Sequence, residues 1–369
     1  MLNLNQILKM GKRKFKSQKK IPWFFSGFTR IVFVFILLHA YCVLYAQDNR
    51  HLRIVFYNAE NFFDIKVDST RDYNAFTPEG DQHWTLSRYF LKRNNLFKTL
   101  LALGKGDPPA LVGMCELENE SVLEELIYRT PLKNAGYKIV HYESPDRRGI
   151  DVGLIYRSDL LTLIQSEPIN VHDTADPGFL TRDILFAAFE TSASDTIFVY
   201  VNHWPSRYGG QLESVDKRML AATTLRRHYD SLVLKLPGAK VVMMGDLNDS
   251  PEDDSVLKGL RAFSYESNHQ PDGLINLFTN KNSLGFDGTL KHVHDWQIFD
   301  QIIVSPALFG SEMGTRYCDG SARIFVADFL LEDDDRYLGK KLHRTYSGPN
   351  YIGGFSDHLP VYIDLCLPD

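Results

Sequence analysis

Polar side chains that can bind a metal ion or move a proton stand at the ends of six apolar, strand-like segments. They occur as Asn58-Ala59-Glu60-Asn61, Glu116, Asn202-His203-Trp204, Gly245-Asp246-Leu247-Asn248-Asp249, Asp300 and Ser356-Asp357-His358. Any single Asn or Asp after a strand is ordinarily a turn former. Turns need neither Glu nor His, so the six together indicate a functional site at one rim of a sheet.

The residue types favour attack of water on phosphorus with the help of a hard metal ion. Glu116, Asp246 and Asp357 offer the oxygen ligands that Mg²⁺ or Mn²⁺ prefers. His203 and His358 are suited to transfer protons, or to stabilise a negatively charged oxygen, near neutral pH. The sequence contains no HExxH, CxxC, P-loop or GxSxG motif. Zinc, P-loop and serine-hydrolase chemistry are therefore not indicated.

The segments that would position these residues alternate between strand-like and helical patterns. The predicted strands are 52–57, 110–115, 152–156, 184–189, 196–201, 241–244, 299–304 and 359–365. Helical patterns run from about residue 86 to 103 and from about 215 to 236, and Ser121 with Glu124 fits a capping box at the start of another helix. The Gly-, Pro- and Asp-rich stretch 265–295 is predicted to be a loop. Strands mixed with helices indicate an α/β or α+β protein.

The composition describes a globular protein with an uneven distribution of charge. Of the 369 residues, 44% are hydrophobic and 24% are charged, and the formal net charge is −5. Residues 1–46 hold eight Lys or Arg and no acid, which leaves 33 cations against 46 acids and a charge of −13 for residues 47–369. We expect this acidic body to form no tight non-specific clamp on nucleic acid, although contact with phosphate through a metal ion is not excluded.

The first 46 residues have the pattern of a secretory signal. A basic stretch ends at Arg30, an apolar run extends from Ile31 to Tyr45, and the small residue Ala46 precedes a polar segment. The run is short for a membrane span. We therefore expect cleavage after Ala46, which would leave residues 47–369 as one secreted or periplasmic domain. Retention of the segment as a signal anchor is the alternative, and it would attach the protein to a membrane.

Three cysteines remain after removal of the signal: Cys115, Cys318 and Cys366. Because the number is odd, at least one of them should stay free. Whether Cys318 and Cys366 pair cannot be read from the sequence.

Taken in chain order, the strand-end motifs resemble those of the endonuclease/exonuclease/phosphatase superfamily, which has the DNase-I-like fold. The motifs that carry the resemblance are Asn58, Cys115-Glu116-Leu117-Glu118-Asn119, Asn202-His203-Trp204-Pro205-Ser206-Arg207, Gly245-Asp246-Leu247-Asn248-Asp249, Asp300-Gln301 and Ser356-Asp357-His358. The resemblance covers about residues 51–367. It implies a four-layer sandwich of two mainly antiparallel β-sheets flanked by helices.

The resemblance also implies how metal, water and phosphate are held. Glu116 matches the metal-binding glutamate, Asn58 the asparagine beside the metal, and Asp357 supports the metal side. The implied ion is Mg²⁺ or Mn²⁺. Asp246 matches the aspartate that orients or deprotonates the attacking water. Asn248 matches the amide that holds the scissile phosphate.

Two histidines complete the set of catalytic residues that the resemblance implies. His358 matches the histidine that stabilises the transition-state oxygen, and Asp300 would fix its tautomer. His203 matches the second histidine of the DNase and sphingomyelinase-like branches. Arg148 lies where the family often contacts phosphate, although a plain turn explains it nearly as well. Arg207 is a further candidate for phosphate binding.

These matches lead us to expect a metal-dependent hydrolase of phosphate esters, and in the first place a phosphodiesterase acting on nucleic acid. Hydrolysis of lipid or sugar phosphodiesters or of phosphomonoesters is the alternative. A non-catalytic binding module is disfavoured because every matched catalytic position retains its residue type. His203, the export signal and the acidic body weigh against repair of abasic sites.

Overall fold

Two seven-stranded β-sheets pack face to face in the computed structural model, which describes residues 51–69, 73–207, 209–267, 273–310 and 314–368. The first sheet has the order β14 (Arg316–Tyr317), β20 (Val361–Cys366), β1 (His51–Phe62), β2 (Leu111–Leu117), β4 (Asp151–Arg157) and β3 (Tyr137–His141), with β15 (Arg323–Ile324) also paired to β20. The second has the order β5 (Leu161–Ile169), β6 (Ile184–Thr191), β7 (Thr196–His203), β8 (Lys240–Asp246), β13 (Asp300–Val304), β10 (Leu274–Asn276) and β9 (Ala262–Phe263).

Most neighbouring strands run antiparallel, but β1–β2, β7–β8 and β9–β10 are parallel pairs. Strands β13 and β20 run opposite to β8 and β1 respectively. The carboxyl ends of β1, β2, β7 and β8 therefore meet the amino ends of β13 and β20 at one edge of the sandwich. All eight predicted strands are present, and they form the middle of both sheets.

The sheets are mainly covered by three helices, α1 (Leu86–Leu103), α2 (Glu120–Tyr128) and α3 (Gln211–Lys235). Alternate residues of β1 face opposite ways: Phe56 lies in the core between the sheets, whereas Tyr57 packs in the cluster that includes Leu96 of α1 and Leu126 of α2. Helix α3 covers the second sheet in the same way, through a cluster that includes Leu225. The result is the expected four-layer arrangement of sheets between helices.

Short elements lie outside these layers. Three hairpins are formed by β11 (Leu290–His292) with β12 (Asp295–Gln297), β16 (Leu331–Asp333) with β17 (Lys340–Leu342), and β18 (Tyr346–Ser347) with β19 (Asn350–Tyr351). The remaining helical turns are 3₁₀ turns at Pro131–Ala135, Lys281–Ser283, Pro306–Phe309 and Asp328–Leu330, and a π-helical turn at Ser255–Leu260.

Two local predictions are wrong. The helix after β2 begins at Glu120, and its cap is Asn119, whose side-chain oxygen accepts a hydrogen bond from the Val122 N–H at 3.2 Å. Asn119 stands just before the first helical turn and satisfies a free N–H there, so Ser121 does not act as the cap. The stretch 265–295 is not all loop, because it contains the short strands β10 and β11.

The cysteines divide as the odd number requires, with a Cys318–Cys366 disulfide and a buried free Cys115. The bond joins the segment after β14 to the end of β20. Among the described residues, no helix combines the length and apolarity that crossing a bilayer requires. The predicted signal, residues 1–46, lies outside the described residues.

Candidate active site at the shared strand edge

The strand registers bring the predicted catalytic residues side by side. His203 at the end of β7 is the neighbour of Asp246 at the end of β8, and Asp246 is the neighbour of Asp300 at the start of β13. Gly245 makes this approach possible, because a Cβ there would lie 2.4 Å from the Asn202 carbonyl oxygen on β7. The first sheet joins the group through Asn58, whose Nδ2 donates to Asp246 Oδ2 at 3.1 Å.

Asp246 is the centre of the arrangement. Its Oδ2 lies 3.7 Å from Nε2 of His358 and 3.8 Å from Nε2 of His203, and its Oδ1 accepts the Asn248 N–H at 3.0 Å. Burial raises the pKa of Asp246 to about 7, an effect that the charge of His358 opposes and that of Asp300 reinforces. A carboxylate with a pKa near neutrality, placed between two imidazoles, is suited to accept a proton from water.

His358 is held in one orientation by the pair of sheets. Its Nδ1 lies 2.7 Å from Asp300 Oδ2, and its backbone N–H donates to Ser356 Oγ at 3.1 Å. Ser356 in turn donates to the Asn58 carbonyl at 2.8 Å. Burial alone lowers the pKa of His358, but the Asp300 and Asp246 carboxylates outweigh it and raise that pKa well above its usual value. The ring is therefore an imidazolium near neutral pH.

His203 has the opposite protonation state. Burial, followed by the positive charge of Arg182, lowers the pKa of His203 well below its usual value. Arg182 is fixed beside it, because its guanidinium donates to the His203 carbonyl at 3.2 Å and to the Trp204 carbonyl at 2.6 Å. Within the described part of the chain, His203 Nδ1 is buried without a hydrogen-bond partner. One charged and one neutral imidazole thus face the same carboxylate.

The predicted metal residues Glu116 and Asp357 lie on a more open, acidic part of the edge, where their side chains are 14% and 22% exposed. Glu116 Oε2 accepts the Asn61 N–H at 2.9 Å and lies 3.8 Å from the Arg148 guanidinium. Asp357 accepts from Arg344 at 2.8 Å. Burial raises the pKa of Asp357, but the positive charges of Arg344, His358 and Lys92 together outweigh it and lower that pKa.

These oxygen donors fit a hard cation that keeps part of its water shell. Asn58 is a weaker fit as a direct ligand, because its amide nitrogen is bonded to Asp246 and its Oδ1 accepts the Glu60 N–H at 2.9 Å. Asp246 also belongs to two groups of possible ligands, and within each group the ligand atoms lie within 4.8 Å of one another. The first group adds Cys115 and His203, and the second adds Asp300 and His358. In the second group, His358 Nδ1 and Asp300 Oδ2 already contact each other at 2.7 Å, so these two atoms are engaged with each other and not turned to an ion.

Sequence reasoning missed an ion cluster behind the acidic edge, formed by the buried Glu60 and Lys92 with the exposed Arg344. Glu60 lies 3.8 Å from the fully buried Lys92 Nζ and 3.4 Å from Arg344, and it accepts the Thr345 N–H at 2.7 Å. Burial raises the pKa of Glu60 and lowers that of Lys92. Glu60 stands in the same motif as Asn58 and could have been found there. Lys92, inside a helical pattern, carries no such signal.

The three predicted substrate-binding residues differ in their surroundings. Asn248 lies beside Asp246, and its side-chain amide donates to the Trp204 carbonyl at 3.0 Å. Arg148 is 41% exposed next to Glu116, and it donates to Asn61 Oδ1 at 2.6 Å. Arg207 is held by the loop after β8, because it donates to the Asn248 carbonyl and to the carboxylates of Asp249 and Asp253.

Four residues of the site adopt left-handed backbone conformations although none is glycine: Glu60 (φ 48°), Asn61 (φ 56°), Glu116 (φ 57°) and Asn248 (φ 50°). Such conformations are unfavourable for most residue types and concentrate at functional sites, where the surrounding structure holds them. The strain therefore marks the same edge of the sandwich as the buried charges do.

Comparison with known proteins finds one matching family and several similar solved structures. The pattern of the Endonuclease/Exonuclease/phosphatase family matches residues 53–366. Similar solved structures include a conserved Enterococcus faecalis protein of unknown function (TM-score 0.53, 15% identity, 86% of this chain and 100% of that one). Another is the Bacteroides thetaiotaomicron mannosyl-6-phosphatase (TM-score 0.52, 14% identity, 86% of this chain and 100% of that one). A third is D. rerio TDP2 humanized by 14 mutations (TM-score 0.51, 16% identity, 86% of this chain and 99% of that one). No curated protein sequence matches the chain significantly.

Proposed function

Because the chain belongs to the endonuclease/exonuclease/phosphatase family, we propose that it is a metal-dependent phosphodiesterase in which activated water attacks phosphorus. The observation that carries the proposal is Asp246, a buried carboxylate with a pKa near 7 that lies 3.7 and 3.8 Å from two histidine rings. Membership of the family supports hydrolysis of phosphoesters. The proposal adds a dependence on metal and a preference for diesters.

Mg²⁺ or Mn²⁺ would be held by Glu116 and Asp357, with Asn58 beside it, and when bound would neutralise charge on the phosphate oxygens. Asp246 accepts the proton of the attacking water. Its carboxylate is oriented for this by the Asn58 amide and the Asn248 N–H. Asn248 also presents its side chain to the position that the scissile phosphate takes.

The two histidines stabilise different stages because their protonation states differ. The charged ring of His358, with Nδ1 held by Asp300, stabilises negative charge that develops on the phosphoryl oxygens. The neutral ring of His203 turns Nε2 toward the same centre, where that atom acts as a donor or an acceptor according to the tautomer. Both rings are buried, and Asp300 holds the ring of His358 before substrate binds, so little reorganisation of that ring accompanies the reaction.

We propose a nucleic-acid phosphodiester as the substrate. The exposed guanidinium groups of Arg148 and Arg344 flank the acidic edge, where they would reach phosphates adjoining the cleaved one. The acidic body, with its charge of −13 over residues 47–369, restricts this contact to the site itself.

The test is hydrolysis of bis-p-nitrophenyl phosphate against p-nitrophenyl phosphate, followed by DNA, RNA, sphingomyelin and inositol phosphates. We expect the diester to be the better of the two aryl substrates. Preference for the monoester would replace the proposal with a phosphomonoesterase, and turnover of none of these compounds would favour a non-catalytic module.

We further propose that residues 1–46 are an export signal and that residues 47–369 form the mature domain outside the cytoplasm. The Cys318–Cys366 disulfide supports this, because such bonds persist mainly in oxidising compartments. Sequencing of the purified native protein should give an N-terminus near Gln47. An intact Met1 on membrane-bound protein would instead indicate an anchor, and an intact Met1 on soluble cytoplasmic protein would refute export.

A further inference from the structure

A pocket of about 250 Å³ adjoins the acidic edge of the active site, and we call it the hairpin pocket. Its walls come from the β11–β12, β16–β17 and β18–β19 hairpins, which lie outside the two main sheets. The charged residues that line it are Lys291, Asp334, Arg336, Lys341, Arg344 and Asp357. Because Asp357 and Arg344 belong to both places, the pocket opens directly beside the proposed metal residues.

The pocket is built on a fixed frame. Lys291 Nζ on β11 donates to Asp334 Oδ2 at 2.7 Å and to the Lys340 carbonyl at 2.9 Å. The side chains of Lys291 and Asp334 are only 6% and 5% exposed, so this ion pair joins the β11–β12 hairpin to the β16–β17 hairpin. The charge of Lys291 is therefore already balanced by the protein.

The other cations of the pocket are less well balanced. Arg336 is exposed, and among the residues that the structure describes it has no carboxylate within ion-pair distance. Lys341 lies 3.4 Å from Glu332 and both are partly exposed, a geometry that contributes little in water. Arg344 is paired with Asp357, which the proposed metal ion would also bind, and it also lies 3.4 Å from Glu60. The charged side chains that line the pocket are four cations and two carboxylates, a net charge of +2 beside the site of an acidic protein.

Resting on the proposed phosphodiesterase function, we propose that the hairpin pocket binds a terminal phosphomonoester of the same nucleic-acid substrate whose diester is cleaved. Its volume is below the roughly 300–1,000 Å³ of sites that enclose a whole small molecule, so it suits one end of a substrate. A terminal phosphate carries about −1.5 to −2 charges at pH 7, against one for a diester. Arg336 and Lys341 supply the matching charge, and the enzyme prefers ends that carry phosphate.

The pairing of β16 with β17 provides a matched control. Glu332 pairs with Lys341 and Asp333 with Lys340, and successive residues of a strand point to opposite faces. Lys341 lines the pocket, whereas Lys340 does not and forms an exposed pair with Asp333 at 2.6 Å. Lys340→Gln therefore removes the same charge from the same strand without touching the pocket.

The experiment compares kcat/KM for dithymidylate without a terminal phosphate, with a 5′-phosphate and with a 3′-phosphate. We expect one phosphorylated form to be cleaved about tenfold better, the equivalent of one charge-assisted hydrogen bond. The wild type and Lys340→Gln should show this preference, and the Arg336→Gln/Lys341→Gln variant should lose it. No preference in the wild type, or the same preference in the double variant, would overturn the proposal.

Calorimetric binding of the same three dinucleotides in EDTA separates this proposal from the proposed function. If the wild type cleaves none of them, the phosphodiesterase proposal fails, and binding alone decides about the pocket. The wild type should bind the preferred phosphorylated form about tenfold more tightly than dithymidylate, and the double variant should not. Equal affinities in the wild type, or an unchanged difference in the double variant, would count against the pocket.

Discussion

At the scale of single residues, the site depends on keeping buried charges in pairs. Asp300 has no exposed surface, and its Oδ2 contacts His358 Nδ1 at 2.7 Å. The imidazolium compensates the buried carboxylate, and the carboxylate keeps the ring charged and correctly oriented. Neither residue is expected to work without the other.

This pairing predicts a non-additive double variant. His358→Ala should lower kcat by about 10²–10⁴, the range for a positioned acid–base group, with a much smaller change in substrate binding. Asp300→Asn should be impaired because the ring loses its orientation, and the double variant should be little worse than His358→Ala alone. Measuring kcat for the wild type and the three variants on one diester decides this. Losses that multiply in the double variant would show that the two residues do not act as a pair.

Glu116 gives the corresponding prediction for the metal. Glu116→Gln keeps an oxygen that can accept the Asn61 N–H but removes the charge, so Mg²⁺ or Mn²⁺ should bind more weakly. We expect most activity to be lost, and the metal concentration for half-maximal activity to rise about tenfold or more. Glu124→Gln, on the exposed face of α2, is the control and should behave like the wild type. Full activity of Glu116→Gln at low metal would remove Glu116 from the site.

The site residues that the sequence identified stand in short motifs, whereas those that it missed reach the site only through the fold. Asp246, His203 and His358 stand at strand ends in short motifs, and the structure places them around one point. Lys92 and Arg182 act from other parts of the chain, and only the fold brings them to Glu60 and His203. Their contribution is electrostatic, and such contributions depend on burial and distance, which a linear pattern does not contain.

At the scale of elements, the central strands were predictable because they are buried on both faces and therefore apolar along their length. The hairpins that form the pocket were not, since β16 and β17 are short and half exposed and alternate little. The start of α2 was also hard to predict, because two nearby residues can cap a helix. Asn119 and Ser121 are both good capping residues, and only the structure shows that the backbone enters the helix at Glu120.

The cap can be tested directly. Asn119→Ala should lower the free energy of unfolding by about 1 kcal/mol, because the Val122 N–H loses its acceptor. Ser121→Ala should change it by less than about 0.5 kcal/mol, as for a substitution away from any such feature. Urea unfolding of the two variants beside the wild type measures both values. A larger loss for Ser121→Ala would mean that the capping box, not Asn119, begins the helix.

At the scale of the whole molecule, the two sheets each contribute part of the site. Asn58, Glu116, Asp357 and His358 lie on or beside the first sheet, and His203, Asp246 and Asp300 lie on the second. The core between the sheets therefore sets the distance between the metal residues and the base. Residues 47–369 carry a net charge of −13, which leaves recognition of the substrate to the edge and its hairpins.

The most direct test of the account is turnover of bis-p-nitrophenyl phosphate by the wild type and by Asp246→Asn, each with Mg²⁺, with EDTA and after Mg²⁺ is restored. The wild type should be active with Mg²⁺, inactive in EDTA and active again on restoration. Asp246→Asn should lose about 10²–10⁴ in kcat at every metal concentration, because the proton acceptor is gone. Turnover that persists in EDTA, or an Asp246→Asn variant as active as the wild type, would contradict metal-assisted attack of water activated by Asp246.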